Sequence, residues 1–162
     1  MNYDHDVYVL GAGGHAKVVI STLRAAGYRV PAVYDDDTSK WYTTCLDVPI
    51  VGPVSQILSL PMPQAVIAIG NNYVRKCIAE QLVGVQWVTV VHPAACVDVS
   101  ATLGAGTVVF AGAVIQPDVV IGAHTIINTG ATVDHDCRIG EYVHIAPERT
   151  WLVVYVWVMA YF

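Results

Sequence analysis

At 162 residues the chain has room for one ordinary domain or two small ones. Its residues are 55% hydrophobic and only 13% charged, a core-rich balance that predicts apolar surface covered by further copies of the chain. A net charge of −5 with scattered Lys and Arg leaves no basic stripe for a nucleic acid, and the opening Met1-Asn2-Tyr3-Asp4-His5-Asp6 lacks the pattern of a secretory signal, which points to the cytoplasm.

Val7-Tyr8-Val9-Leu10 is a short apolar strand running into Gly11-Ala12-Gly13-Gly14-His15-Ala16, and a helical pattern follows through Val18, Val19, Ile20, Leu23 and Ala26 to Gly27. Glycine supplies the backbone angles of such a turn and lets phosphate oxygens approach amides at the helix N-terminus. Gly11, Gly13 and Ala16 fit the G-x-G-x-x-[GA] spacing of dinucleotide sites, and Asp35, Asp36 and Asp37 follow a strand over Val30 to Tyr34. Packing of helix on sheet would explain the same glycines, and Lys17 reads equally well as a solvated charge or a phosphate contact.

Residues 38–53 read as a loop with one short strand at Val48 to Val51, followed by a short helix over Ser55 to Leu60. Ala65 to Ile69 is a buried strand that reaches Gly70-Asn71-Asn72, and a helix spans Tyr73 to Leu82. Trp87 to Val91 is the last strand of this half, closed by His92-Pro93. Strands alternating with helices predict a small Rossmann-like parallel sheet over residues 1–92, with both glycine turns at its carboxyl edge. Gly13, His15, Asp35, Asp36 and Asn71 are therefore candidates for one site. Cys45, Cys77, Cys96 and Cys137 have no C-x-x-C spacing and no histidine at ligand spacing, so they are expected to be reduced, mostly buried and without a metal.

From residue 97 the rule changes. Val97, Leu103, Val109, Ile115, Ile121, Ile127, Val133, Ile139 and Ile145 recur in steps of six, and two residues before each stands a small or modest side chain, from Ala95 to Val143. Gly104, Gly122 and Gly140 recur every 18. That is a hexapeptide repeat, the mark of a parallel β-helix whose three six-residue sides make one triangular coil, and it fills residues 93–147.

Asn128-Thr129-Gly130-Ala131-Thr132-Val133-Asp134-His135-Asp136 interrupts this repeat with charge. Asp134, His135 and Asp136 flank the inward Val133 and a corner, so His135 and a neighbour are expected to project outward. A histidine beside a carboxylate can take a proton from an amine or a hydroxyl while the acid fixes its tautomer. His124 and His144 lack such neighbours in sequence.

Gly11-Ala12-Gly13-Gly14-His15-Ala16-Lys17, Ile69-Gly70-Asn71-Asn72 with Arg75, His92-Pro93, the hexapeptides, and Asn128-Thr129-Gly130 through Asp134-His135-Asp136-Cys137 occur in that order. With them the chain resembles the bacterial sugar acyltransferases of left-handed β-helix type, which acetylate nucleotide-linked amino sugars or sialic acid. The resemblance implies a left-handed helix, a homotrimer, acetyl-CoA held along the β-helix, and a nucleotide sugar in the N-terminal sheet. It casts His135 as the base that deprotonates the sugar amine, Asp136 as its orienter, and Asn128 and His144 as neighbours of the acetyl group. Gly11, Gly13, Gly14 and His15 would carry the nucleotide, with Asp35 and Asp36 near its base or ribose and Asn71 beside them.

The expected reaction is N-acetylation of a nucleotide-activated 4-amino sugar, with O-acetylation of a sugar or sialic acid as the near alternative. A dinucleotide-binding oxidoreductase or sensor would explain the first half only. Residues 148–162 depart from the family pattern: Trp151 and Trp157 stand where aliphatic residues belong, and the apolar run from Leu152 is too short to span a bilayer, which needs about 20 residues. This tail is expected to be truncated or out-of-frame sequence that removes later coils, with an inactive remnant as one outcome.

Overall fold

The computed structural model describes residues 5–151; the apolar run Leu152 to Phe162 and the opening Met1 to Asp4 lie outside them. Two compact units divide between Val88 and Thr89.

In the first unit the apolar run at the start forms β1 (Tyr8–Leu10), the glycine turn leads into α1 (Gly14–Ala25), and β2 (Val33–Tyr34) follows. β3 (Thr44–Cys45) and β4 (Val48–Gly52) make a hairpin, then come β5 (Gln64–Ile67), α2 (Asn72–Gln81) and β6 (Gln86–Trp87). The six strands lie in the order β3-β4-β2-β1-β5-β6, all neighbours parallel except the hairpin pair. Val9, Leu10, Val33, Val66 and Ile67 are buried from both faces, as parallel strands with no solvated side must be.

Three expectations are adjusted. The loop expected over residues 38–53 contains β3, because Leu46 and Asp47 both take positive φ (48° and 63°) and close a two-residue hairpin without the Asn-Gly pair that normally announces one. The helix expected at Ser55 to Leu60 is a 3-10 turn over Val54–Ser59. The strand expected from Trp87 to Val91 is two strands: Gln86–Trp87 closes the sheet, while β7 (Val90–Val91) pairs with the β-helix.

The second unit winds three parallel sheets around one axis. On the first side β7, β10 (Val108–Val109), β13 (Ile126–Ile127) and β16 (His144–Ile145) stack in register. β8 (Cys96–Val97), β11 (Val114–Ile115), β14 (Thr132–Val133) and β17 (Thr150–Trp151) form the second. The third holds β9 (Thr102–Leu103), β12 (Val120–Ile121) and β15 (Arg138–Ile139). Every pairing joins residues 18 apart. The inward row from Val109 to Ile145 is buried, with Val91, Val97 and Leu103 packed against it at the partly exposed first coil. The backbone pairing thus begins at Val90 and continues through Thr150–Trp151, beyond the residues 93–147 to which the side-chain pattern alone had confined the repeat.

One corner explains the glycines at intervals of 18. A Cβ on Gly104 would lie 2.4 Å from the Ala123 backbone nitrogen, and one on Gly122 would lie 2.6 Å from the Glu141 nitrogen. The coils approach too closely there for any side chain. Threonines 15 residues before each glycine complete the corner: the hydroxyls of Thr89, Thr107 and Thr125 donate to the carbonyls of Gly104, Gly122 and Gly140 at 2.8, 3.0 and 2.9 Å. Because the blocking atoms are backbone, Gly122→Ala should destabilise the protein by about 1–3 kcal/mol or more in denaturant titration. Gly13→Ala, whose Cβ would meet nothing within 4 Å, should shift the midpoint far less; equal losses would refute the close-approach account.

Candidate functional site

The β-helix unit gathers four of the residues singled out in the sequence. Val133 is buried, Asp134 half-buried, and His135 and Asp136 project into solvent. Asp136 sits at a corner with φ 59°, and its amide donates to the carbonyl of Pro117 on the coil below at 3.1 Å. From there its carboxylate reaches back to His135, Oδ2 lying 2.7 Å from Nδ1. Asp134 Oδ1 accepts from the His135 amide at 2.9 Å, which fixes the backbone on the other side.

The hydrogen bond to Asp136 chiefly, and the nearby charge of Asp134, hold His135 above the ordinary imidazole value. In neutral His135 the proton belongs on Nδ1, facing the carboxylate, so the lone pair is on Nε2. The arrangement is that of a base and its orienter.

Asn128 and His144 also meet: Asn128 Nδ2 lies 2.9 Å from His144 Nε2. Sixteen residues separate them in sequence. The 18-residue coil brings them together, a signal available in the repeat though neither residue has a suggestive neighbour of its own. His124 takes no part in this pair and stacks on Tyr142 with ring centroids 5.3 Å apart.

The sheet unit places the other candidates. Gly11, with φ 103°, packs so closely on Ile69 that a Cβ would come within 2.7 Å of its side chain. Gly13 and Gly14 open α1 with free space above them, no side-chain cap and no acid in the first turn, which leaves the amide end of the helix facing open space. His15 is half-buried in that first turn.

Asp35 is buried and points at the glycine turn rather than away from it. Its Oδ2 accepts from the Ala12 amide at 2.6 Å and lies 3.2 Å from Lys40 Nζ, while Oδ1 accepts from the Asp37 amide at 2.9 Å. Lys40 is a residue that spacing did not flag; Asp35 brings its ammonium to the glycine turn. Asp36 is exposed and accepts from the Val54 amide at 2.8 Å. Asn71 caps α2, its Oδ1 accepting from the Val74 amide at 3.0 Å. Arg75 is 1% exposed and donates to the carbonyls of Ile69 and Gly70, shaping the second turn from beneath.

Cys45 and Cys137 are buried and Cys77 is half-buried, but Cys96 is exposed, against the expectation of mostly buried thiols; it occupies an outward position of β8. Among the described residues no group of three or more His, Cys, Asp or Glu could hold a metal, and no helix is long and apolar enough to cross a membrane.

Comparison with known proteins agrees with both halves. Residues 6–82 match the family described as PglD N-terminal domain, and residues 100–135 match the bacterial transferase hexapeptide (six repeats). UDP-N-acetylbacillosamine N-acetyltransferase of Bacillus subtilis is 42% identical over 117 residues, 64% of this chain and 50% of that protein, so the chain spans about half the length of that curated relative. Among solved structures, a mutant of GDP-perosamine N-acetyl transferase from Caulobacter crescentus, in complex with CoA and GDP-perosamine, superposes with a TM-score of 0.83 at 39% identity, covering 90% of this chain and 70% of that one. The acetyltransferase domain of PglB from Neisseria gonorrhoeae, in complex with acetyl coenzyme A, gives 0.80 at 36% identity, covering 88% and 71%. A PglD-type sheet unit followed by a hexapeptide-repeat β-helix, matched over most of its length by such enzymes, makes this chain a member of the bacterial sugar acyltransferases of left-handed β-helix type.

Proposed function

We propose that the protein transfers acetyl from acetyl-CoA to the amine of a nucleotide-activated 4-amino sugar, in cytoplasmic synthesis of glycan precursors and as a homotrimer. The observation that carries the chemistry is the His135–Asp136 contact of 2.7 Å, which leaves Nε2 of a neutral, oriented imidazole available to a substrate. The relatives supply the substrate class, since their names and complexes join N-acetyltransfer to UDP- and GDP-linked amino sugars and to CoA.

In this reading His135 Nε2 takes a proton from the sugar amine as its nitrogen bonds to the thioester carbonyl carbon. The carbon–sulfur bond then breaks and CoA leaves as the thiol or thiolate. Asp136 keeps the ring in the Nδ1–H form and stabilises the imidazolium. Asn128 and His144 serve the acetyl end of acetyl-CoA. Gly13, Gly14 and His15 offer the open amide end of α1 to the nucleotide phosphates. Asp35 supports that turn from behind and Gly11 lets it pack on Ile69, while Asp36 and Asn71 border it.

The reaction is assayed by thiol release from acetyl-CoA against a panel of UDP- and GDP-linked 4-amino sugars; release with none of them, or tight NAD(H) binding in their place, would overturn the assignment. His135→Ala should lower kcat by about 10²- to 10⁴-fold, the usual worth of a positioned base, with nucleotide-sugar affinity unchanged. Full activity in that variant would remove His135 from the mechanism.

A pH profile gives a separate check. The base works when neutral, and its raised value places the change above the ordinary ~6.5, so kcat/KM should climb as pH passes through that raised value and level off above it. Asp136→Asn removes the main cause of the rise. Its acid limb should move to lower pH while the plateau falls, and a limb that stays in place would mean that another group titrates.

A further inference from the structure

Asn128 and His144 face each other at 2.9 Å, and the direction of that hydrogen bond can be deduced. Asn128 Oδ1 lies 2.8 Å from the backbone nitrogen of Thr129, a group that can only donate. The oxygen of the Asn128 amide is thereby assigned, and the end turned toward His144 is the NH2 group. A histidine nitrogen that receives an N–H must carry a lone pair. His144 Nε2 is therefore unprotonated, and the ring proton lies on Nδ1.

Protonation of His144 would set two donors against each other at that contact. Turning the Asn128 amide over would relieve the conflict only by pointing NH2 at the Thr129 amide, which moves the clash one residue along. Arg149, a cation, lines the same open depression as His144, Ala146 and Thr150.

We propose that Asn128 is a positioning residue that holds His144 neutral and in its Nδ1–H form, so that of these two histidines of the β-helix only His135 changes charge during acetyl transfer. The use of this device rests on the acetyltransferase reading, whereas its geometry does not. It gives Asn128 a task beyond proximity to the acetyl group: it selects the protonation state of its neighbour.

Two-bond 1H–15N spectra of the full chain labelled with 15N-histidine test it directly, with His144→Gln identifying the resonance. The wild type should keep the Nδ1–H pattern at His144 from about pH 6 to about pH 8, the range over which an ordinary histidine titrates. Asn128→Asp replaces the donor with a carboxylate and should put a proton on Nε2, raising the protonated fraction equilibrium by about tenfold or more. Asn128→Ala, which removes the donor without adding charge, should give a mixture of tautomers and serves if the aspartate variant does not fold. An Nε2–H pattern in the wild type, or the wild-type pattern retained at His144 in the folded variants, overturns the proposal. Because the spectra need no turnover, a chain that transfers no acetyl yet has the Nδ1–H pattern would count against the function alone.

Discussion

The structure of the β-helix depends on a left-handed backbone turn at every sixth residue. Gly106, Gly112, Asp118, His124, Gly130, Asp136, Tyr142 and Glu148 all have φ between 54° and 72°, three residues after the inward aliphatic positions from Leu103 to Ile145. Most of these side chains pay a steric penalty for that conformation. At six of these corners a hydrogen bond to the coil below offsets it: the amides of Gly112, His124, Gly130, Asp136, Tyr142 and Glu148 donate to the carbonyls of Ala94, Ala105, Ala111, Pro117, Ala123 and Thr129 at 2.8–3.1 Å, and at a seventh the Asp118 amide donates to the Ser100 hydroxyl at 2.8 Å. A corner is thus stable only because the coil beneath it has the same shape.

That dependence is what gives the site its precision. Asp136 is itself a corner residue, so its carboxylate starts from a backbone fixed by Pro117 rather than from a loop free to vary. At another corner the glycine column and the threonine hydroxyls set how closely the coils stack, and the stacking sets the distance between Asn128 on one coil and His144 on the next. A chemically inert feature, the close approach at Gly122, therefore bears on a functional contact through coil spacing alone.

The two halves of the sequence had very different legibility. A step of six over an aliphatic row has few structural solutions, so the sides, the inward residues and the stacking of residues 18 apart could be read directly from Val97 to Ile145. The start at Val90 was hidden because Trp87 to Val91 is uniformly rich in strand formers, Thr89 included, and gives no sign of changing from one sheet to another between Trp87 and Val90. The hairpin at Leu46–Asp47 was hidden for the opposite reason: its residues are poor formers of the positive-φ turn they adopt, and the surrounding pairing with Pro49 and Val48 decides the matter. At the candidate site the His135–Asp136 pair was legible because it is local. The Asn128–His144 pair was legible only through the 18-residue coil that stacks one over the other, and the inward turn of Asp35 toward Ala12 was not legible, since it depends on where distant backbone happens to pass.

Asp35 illustrates how a motif can be right about location and silent about role. An acid after the second strand is expected to reach for a ligand; here the same carboxylate holds the Ala12 amide, the Asp37 amide and Lys40 at once. Its charge is used to fix the glycine turn, so the open amide end of α1 at Gly13 and Gly14 stands as the group facing outward. The histidines of the β-helix make the same point from the chemical side. His135 faces an acceptor, which favours its cation, and His144 faces a donor, which disfavours it. One residue type thus supplies two chemistries on one scaffold, and in each case the neighbouring side chain, itself placed by backbone hydrogen bonds, decides which.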